Sequence, residues 1–413
     1  MGRRLLAACG VVLATALLTA AAVQEIPPGN VCPDFIQFWT GASLLASGQD
    51  PYEPALQAKM QKELGWDRDD QGLGMYDFLP YYYPPWLALF FVPFLALPYP
   101  IAKLAWLVIG GEMIVGAALL LRDSMRGVST LGALLVTGAF GLSIKSVAMG
   151  QVAPLVLLLV AAAWRLLQER RDLAAGCALA VLTIKPQLSV FLVGALLLWS
   201  FVRGRWMVGA GFGATLAALA AVSTAAFPAW LPSMLAATRT TPMPSTFFPG
   251  LGATWPVVVG AFGVSGPLFY LAWAVVALPL LTVLAAMALD EETSLEDLVC
   301  VALIVPFFVA PYARAYDFPV LMVPALVLMG SRLPELSRLM LGATLTVLVG
   351  LHIVWITATF EPPVVGVRRP EFTYFWIPVL VAIAWLCCRA NGSREGASVA
   401  HVDPNRTDNR STT

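Results

Sequence analysis

The chain alternates between long apolar runs and short polar links. Runs of roughly 14 to 22 residues recur at Leu5–Val23 and at about 101–121, 128–143, 152–166, 172–185, 188–202, 207–226, 268–289, 297–310, 317–330, 336–356 and 371–388. The longer ones match the ~20 residues that an α-helix needs to cross the hydrocarbon core at ~1.5 Å per residue, and the shorter ones are marginal. The runs are rich in Leu, Ala, Val and Gly, without the short alternation of a membrane barrel. The pattern predicts an all-α polytopic membrane protein with about 11–13 transmembrane helices.

One long interruption, residues 24–83, breaks this rhythm. Within it Phe35, Phe38, Trp39, Ala42 and Leu45 recur at three- and four-residue steps, which predicts a helix over Asp34–Ala46 lying along the membrane surface or rising from it. Gly48, Asp50 and Pro51 end it, and Leu56–Leu64 is a second short amphipathic candidate. Residues 81–98 are apolar but carry Pro84, Pro85, Pro93 and Pro98, so they read as a short bent span or a re-entrant piece, and charge parity favours the latter. The crossing of residues 252–267 stays open. Tyr81, Tyr82, Tyr83 and Trp86 read as an interfacial aromatic belt rather than a ligand platform.

Composition agrees with the pattern. Only 12% of the 413 residues are charged, against about 25% in soluble domains, 59% are hydrophobic, and the mean hydropathy is +0.78. A net charge of zero gives no reason to expect a nucleic-acid partner. The six cysteines lack metal-binding spacing and imply no disulfide framework. Residues 1–388 read as a single integral membrane domain, and 389–413 as a polar, disordered tail.

Basic residues set the sides of the membrane. Arg3 and Arg4 precede the first run, whereas the long interruption holds nine carboxylates from Glu25 to Asp77 against Lys59, Lys62 and Arg68. The first run is read as an uncleaved anchor, with a cleaved signal peptide as the alternative, since residues 14–22 resemble a small-residue cleavage site. With the N-terminus inside, the links holding Arg122 and Arg126, Arg165 to Arg171, and Arg203 with Arg205 all fall inside. Asp34, Lys145, Gly150, Gln151, Lys185 and the 311–317 link then share the outer side. Arg368 with Arg369 outside, and the acidic 290–297 link inside, break the trend.

Ionisable groups in such surroundings are the candidate site. Asp34 caps the helix that follows it, or faces a membrane-embedded cavity as a base. Lys185, at a helix end beside Pro186, snorkels to headgroups or meets an anionic ligand. Gln151 caps the next span or contributes to a site. Arg314 and Asp317 form an interfacial, helix-capping ion pair or contribute to a site.

Five stretches, taken in order, resemble a known family: DFIQFWTGASLLASGQDPY (34–52), YYYPPWLALFFVPFLALP (81–98), MGQVAPLVLLLVAAAW (149–164), RRDLAAGCALAVLTIKPQL (170–188) and APYARAYDFPVLMVP (310–324). They look like the successive motifs of glycosyltransferase family 87, and the resemblance covers about residues 30–330. It implies a GT-C-like enzyme of the bacterial inner (plasma) membrane with its active site facing outward. A hexosyl unit, expected to be mannose, would pass from a polyprenyl-phosphate sugar co-substrate to a glycolipid or glycan acceptor of the envelope. Membrane lipids are the remaining expected partners, and no cofactor is assigned, divalent metal being left open.

On that resemblance Asp34 is the catalytic base, and Asp317 binds sugar hydroxyls or orients Arg314. Lys185 and Arg314 contact the phosphate, with Gln151 and Tyr316 completing the substrate-binding set. Some relatives carry a His in the late outer loop, where this chain has Tyr312, Arg314, Tyr316 and Asp317; its two His residues are His352 and His401. A His-dependent mechanism therefore does not transfer. A lipid or solute transporter and a noncatalytic envelope-assembly protein are the alternative functions; the absence of two similar halves counts against the transporter.

Overall fold

The computed structural model describes residues 32–66, 78–121, 140–240, 252–331, 347–355 and 370–387. The first apolar run, the links with Arg122 and Arg126 and with Arg368 and Arg369, and the tail lie outside the described residues.

Every regular element among the described residues is helical. The elements that position the site are α1 (Phe35–Ala46), α2 (Pro54–Glu63), α3 (Pro85–Phe91), α4 (Tyr99–Leu121), α5 (Gly141–Ala148), α6 (Ala153–Gln168), α7 (Asp172–Val181), α8 (Pro186–Val202) and α9 (Trp206–Ala226). They are followed by α10 (Trp230–Thr240), α11 (Trp255–Ala261), α12 (Gly266–Leu289), α13 (Leu295–Ile304) and a 3-10 segment, Ala315–Leu321. A further apolar helical segment is Glu371–Cys387.

Three of these, α4, α9 and α12, are long and apolar enough to cross a membrane. The helices α5 and α6 pass the same test as one span bent by 119°. The expected spans at 172–185 and 188–202 appear as the shorter apolar helices Asp172–Ile184 and Pro186–Val202. Pro186 lacks an amide hydrogen and starts α8 at its first turn, so the chain reverses there, and Lys185 is left in a break between helices. Residues 81–98 form α3 and a 3-10 continuation, Val92–Ala96, too short to cross, as the re-entrant reading requires. Residues 252–267 contain only the seven-residue α11, and the expected outer loop 227–251 contains α10.

Packing depends on absent side chains. A Cβ on Gly176 of α7 would run into the Val208 carbonyl of α9, and one on Gly211 would run into that of Leu173. These two glycines let α7 and α9 touch backbone to backbone, the small-residue contact that lipid-embedded helices use in place of a hydrophobic driving force.

The polar interruption folds inward. Helix α1 is buried well beyond the expected stripe, with Ile36, Gln37, Thr40, Gly41 and Leu44 covered as well. Helix α2 clamps the following strand-like segment through its glutamines. Gln61 accepts from the Leu79 amide at 2.7 Å and donates to the Leu79 carbonyl at 2.8 Å, and Gln57 accepts from the Tyr81 amide at 2.7 Å. Tyr81 is wholly buried, its ring lying on Gly41 and its hydroxyl donating to the Pro84 carbonyl at 2.8 Å. The belt reading therefore fails for Tyr81. Only a glycine at position 41 leaves space for that ring, and no periodicity in either segment signals the pairing.

Candidate active site

The site forms where helices break. At residues 149–152, between α5 and α6, Gly150 adopts φ +73°, and a Cβ there would lie 3.0 Å from that of Cys32. The turn ahead of α1 docks on this bend. The Cys32 amide donates to the Ala148 carbonyl at 2.8 Å, the Asp34 amide to that of Met149 at 3.0 Å, and Trp106 Nε1 of α4 donates to the Gly150 carbonyl at 2.9 Å. These bonds hold Asp34 beside Gln151.

Asp34 occupies the N-cap position of α1, yet its side chain makes no capping hydrogen bond. Instead its Oδ2 accepts from Gln151 Nε2. Gln151 Oε1 accepts from Lys185 Nζ at 3.2 Å, and Lys185 is paired with Asp317 Oδ1. Asp34, Gln151, Lys185 and Asp317 are all buried, so side chains from four segments far apart in sequence meet out of water.

Arg314 does not pair with Asp317 through its guanidinium. Its backbone amide donates to Asp317 Oδ2 at 3.0 Å, which caps the 3-10 segment. The guanidinium forks onto Glu371, with Nε at 2.8 Å from Oε2 and Nη2 at 2.6 Å from Oε1. Lys145 Nζ of α5 lies 4.0 Å from the same Glu371. Of the two readings of Arg314 and Asp317, the mutual ion pair gives way to two others, Lys185 with Asp317 and Arg314 with Glu371. Tyr316 lies under both cations, its ring centroid 5.3 Å from Lys185 Nζ and 4.9 Å from the Arg314 guanidinium carbon.

The six residues proposed from sequence thus come together, with Tyr316 as the aromatic floor. Glu371 and Lys145 are the members that sequence reasoning missed. Lys145 carried the signal that singled out Lys185, a lysine at a helix end in an apolar layer. Glu371 follows Arg368 and Arg369 at the start of an apolar run, and nothing local marks its partner. His352 also approaches this corner, its ring 4.4 Å from that of Tyr374 and its Nε2 3.0 Å from Thr373 Oγ1.

Three bases, Lys145, Lys185 and Arg314, face three acids, Asp34, Asp317 and Glu371. Asp34 lies in a turn outside the spanning helices, and burial pushes its carboxyl above the usual range. Arg314, the Gln151 hydrogen bond and Lys185 pull the other way. Among the described residues no three His, Cys, Asp or Glu side chains are grouped to hold a metal ion.

An apolar cavity of about 420 Å³ lies beside the site, lined by residues of α3, α6 and α9 together with Val181 and Ile184. Ile184 directly precedes Lys185, so the cavity borders the break between α7 and α8.

Residues 81–311, more than half of the chain, match the sequence pattern of glycosyltransferase family 87. The chain belongs to that family. No curated protein and no solved structure matches it. Membership indicates a glycosyltransferase, and the apolar helices make it a membrane protein. The matched region contains Lys145, Gln151 and Lys185; Asp34, Arg314, Asp317 and Glu371 lie outside it.

Proposed function

We propose that this family 87 glycosyltransferase takes a hexosyl unit, mannose, from a polyprenyl-phosphate donor and adds it to a glycolipid or glycan acceptor at the outer face of a bacterial plasma membrane. The observation that carries the reading is Asp34: a buried carboxylate at a cap position that caps nothing and is instead tied into a network with two cations.

In the proposed reaction the acceptor hydroxyl attacks the anomeric carbon as the bond from that carbon to the phosphate oxygen breaks. The hydroxyl proton passes to Asp34, and the electron pair leaves with the lipid phosphate. Such a phosphate is already a good leaving group, so no second acid needs to protonate it. Its developing charge falls to Lys185 and Arg314, the first a point charge and the second a planar fork. Arg314 is the more open of the two, with 17% of its side chain exposed against 1% for Lys185. The phosphate therefore meets Arg314 first. Asp317 holds Lys185 in place, and the apolar cavity that Ile184 helps to line receives the hydrocarbon of the lipid.

The test is turnover of radiolabelled polyprenyl-phosphate mannose by purified protein, with Asp34→Asn as the diagnostic variant. Asn keeps the size of the side chain and still accepts from Gln151, but it cannot take a proton. A loss of about 10² to 10⁴ in rate is expected, with donor binding retained. Near-normal turnover by folded Asp34→Asn would remove the base assignment. Movement of labelled donor across a vesicle membrane without product would point to a transporter instead.

A further inference from the structure

Gln151 has both ends of its amide engaged, and by opposite partners. We propose that Gln151 is a positioning residue that joins the base and the phosphate-binding cation into one unit, holding one oxygen of Asp34 so that the other is presented to the acceptor hydroxyl. The inference rests on the roles proposed above for Asp34 and Lys185.

The geometry allows a single orientation of the amide. Nε2 donates to Asp34 Oδ2 and Oε1 accepts from Lys185 Nζ at 3.2 Å. Reversing it would set an oxygen against a carboxylate and an NH₂ against an ammonium, neither of which can bond. The residue therefore reads the charge of both neighbours. A carboxylate at 34 and an ammonium at 185 each favour the observed arrangement, and donation from Lys185 polarises the amide so that its N–H binds the carboxylate more strongly. The backbone fixes the same point, because the Gln151 amide donates to the Ser146 carbonyl at 3.0 Å across the bend at Gly150. The side chain is almost wholly covered, at 1% exposure.

Asp34 is surrounded by other groups that bear on its charge. Arg314 and Lys185 favour the anion, whereas Glu371 disfavours it. Tyr83, Tyr312 and Tyr316 also lie within electrostatic range, as does the Cys32 thiol. Among these described neighbours it is Gln151 whose side chain donates a hydrogen bond to the carboxylate. Its removal therefore has a signature distinct from loss of packing: the anion becomes harder to form.

The experiment compares the pH dependence of kcat/KM for the wild type, Gln151→Leu and Gln151→Asn, with polyprenyl-phosphate mannose as donor. Leu keeps the bulk and removes both hydrogen bonds. Asn keeps the amide but is one methylene too short to reach both partners. A base works only when deprotonated, so activity falls as pH drops through its pKa. In both variants this acid limb is expected to move up by about one pH unit, the order of shift that losing a hydrogen bond to a charged group produces, with much of the rate recovered at high pH. A profile lowered equally at all pH values would make Gln151 merely structural and overturn the proposal. A second readout needs no turnover: the infrared carbonyl band of protonated Asp34, identified by its absence in Asp34→Asn, should persist to higher pH in Gln151→Leu than in the wild type. An unchanged band midpoint would likewise overturn the coupling. If the wild type transfers no sugar, the functional reading fails, while the infrared titration still decides what Gln151 does to Asp34.

Discussion

The two ends of the helix bundle both gather arginines, lysines and carboxylates, but they use them differently. At the end where α6 meets α7 and α8 meets α9, cations bind backbone carbonyls as well as carboxylates. Arg203 Nη2 donates to the carbonyls of Asp290, Glu291 and Thr293 at 2.9, 2.8 and 3.0 Å, and Arg205 Nη2 donates to that of Leu167 at 2.7 Å. Arg205 also pairs with Asp172 at the start of α7, and Arg165 with Glu169 one turn away on the exposed surface. Arg203 and Arg205 both lie on the ring of Trp199. These contacts satisfy helix termini and staple the 290–293 turn to α8.

At the other end, side chains bind side chains, out of water, and join segments from five regions of the chain. Buried ion pairs are a poor way to gain stability, because desolvation offsets most of their attraction. The first end holds the frame together. The second is maintained despite its cost, and that is the physical reason to look for chemistry there.

The largest expected effect that separates the two ends follows from Lys185. Among the described residues, replacing it with Met leaves the buried Asp317 carboxylate with the Arg314 backbone amide as its hydrogen-bond donor. Breaking such a pair costs about 3–5 kcal/mol, so Lys185→Met alone should lower the unfolding midpoint sharply. Lys185→Met/Asp317→Asn removes both charges and should restore much of the fold while leaving donor use impaired. Thermal unfolding in detergent, run beside donor KM, checks both statements. A double variant with normal donor KM would move the phosphate site away from Lys185.

The sequence marks Lys185 but not the carboxylate that it pairs with, and the reason is instructive. An ionisable residue in an apolar layer is visible one position at a time, which is why Asp34, Lys185, Arg314 and Asp317 stood out. Its partner is not. Asp34 and Gln151 are 117 residues apart, Lys185 and Asp317 132, and Arg314 and Glu371 57. No local spacing encodes such pairs. Arg314 and Asp317 suggested a pair by being three apart, yet the tight 3-10 turn spends that proximity on a backbone cap. Helix positions were legible because length and apolarity are properties of a single segment. The inward burial of α1 was not, since it depends on Gly41 receiving Tyr81 and Gly150 admitting Cys32.

A smaller effect is expected from Arg314→Lys. The positive charge stays, so Glu371 keeps a counter-ion and the fold should hold. The two-pronged geometry is lost, because an ammonium cannot present two parallel N–H groups to a carboxylate or a phosphate. Donor KM should rise about tenfold, in line with one charge-assisted hydrogen bond, with little change in the unfolding midpoint. Equal KM values for the two proteins would leave Arg314 as a structural partner of Glu371 and make the site end resemble the frame end.

The smallest effect belongs to the frame itself. In Arg205→Gln the amide can still reach one of the partners that Arg205 serves, the Leu167 carbonyl or Asp172. Asp172 keeps 18% of its side chain in solvent and so does not become an isolated buried charge. The expected loss is about 1–3 kcal/mol of stability, the worth of hydrogen bonds to a charged group with partial solvent compensation. Arg205 lies at the opposite end of α7 and α8 from Lys185, and no part of the proposed reaction passes through it. Donor KM and the pH profile should therefore stay at wild-type values even as the unfolding midpoint falls. A shifted pH profile in Arg205→Gln would mean that the frame tunes the site along α7 and α8, and the separation of the two ends into scaffold and chemistry would have to be given up.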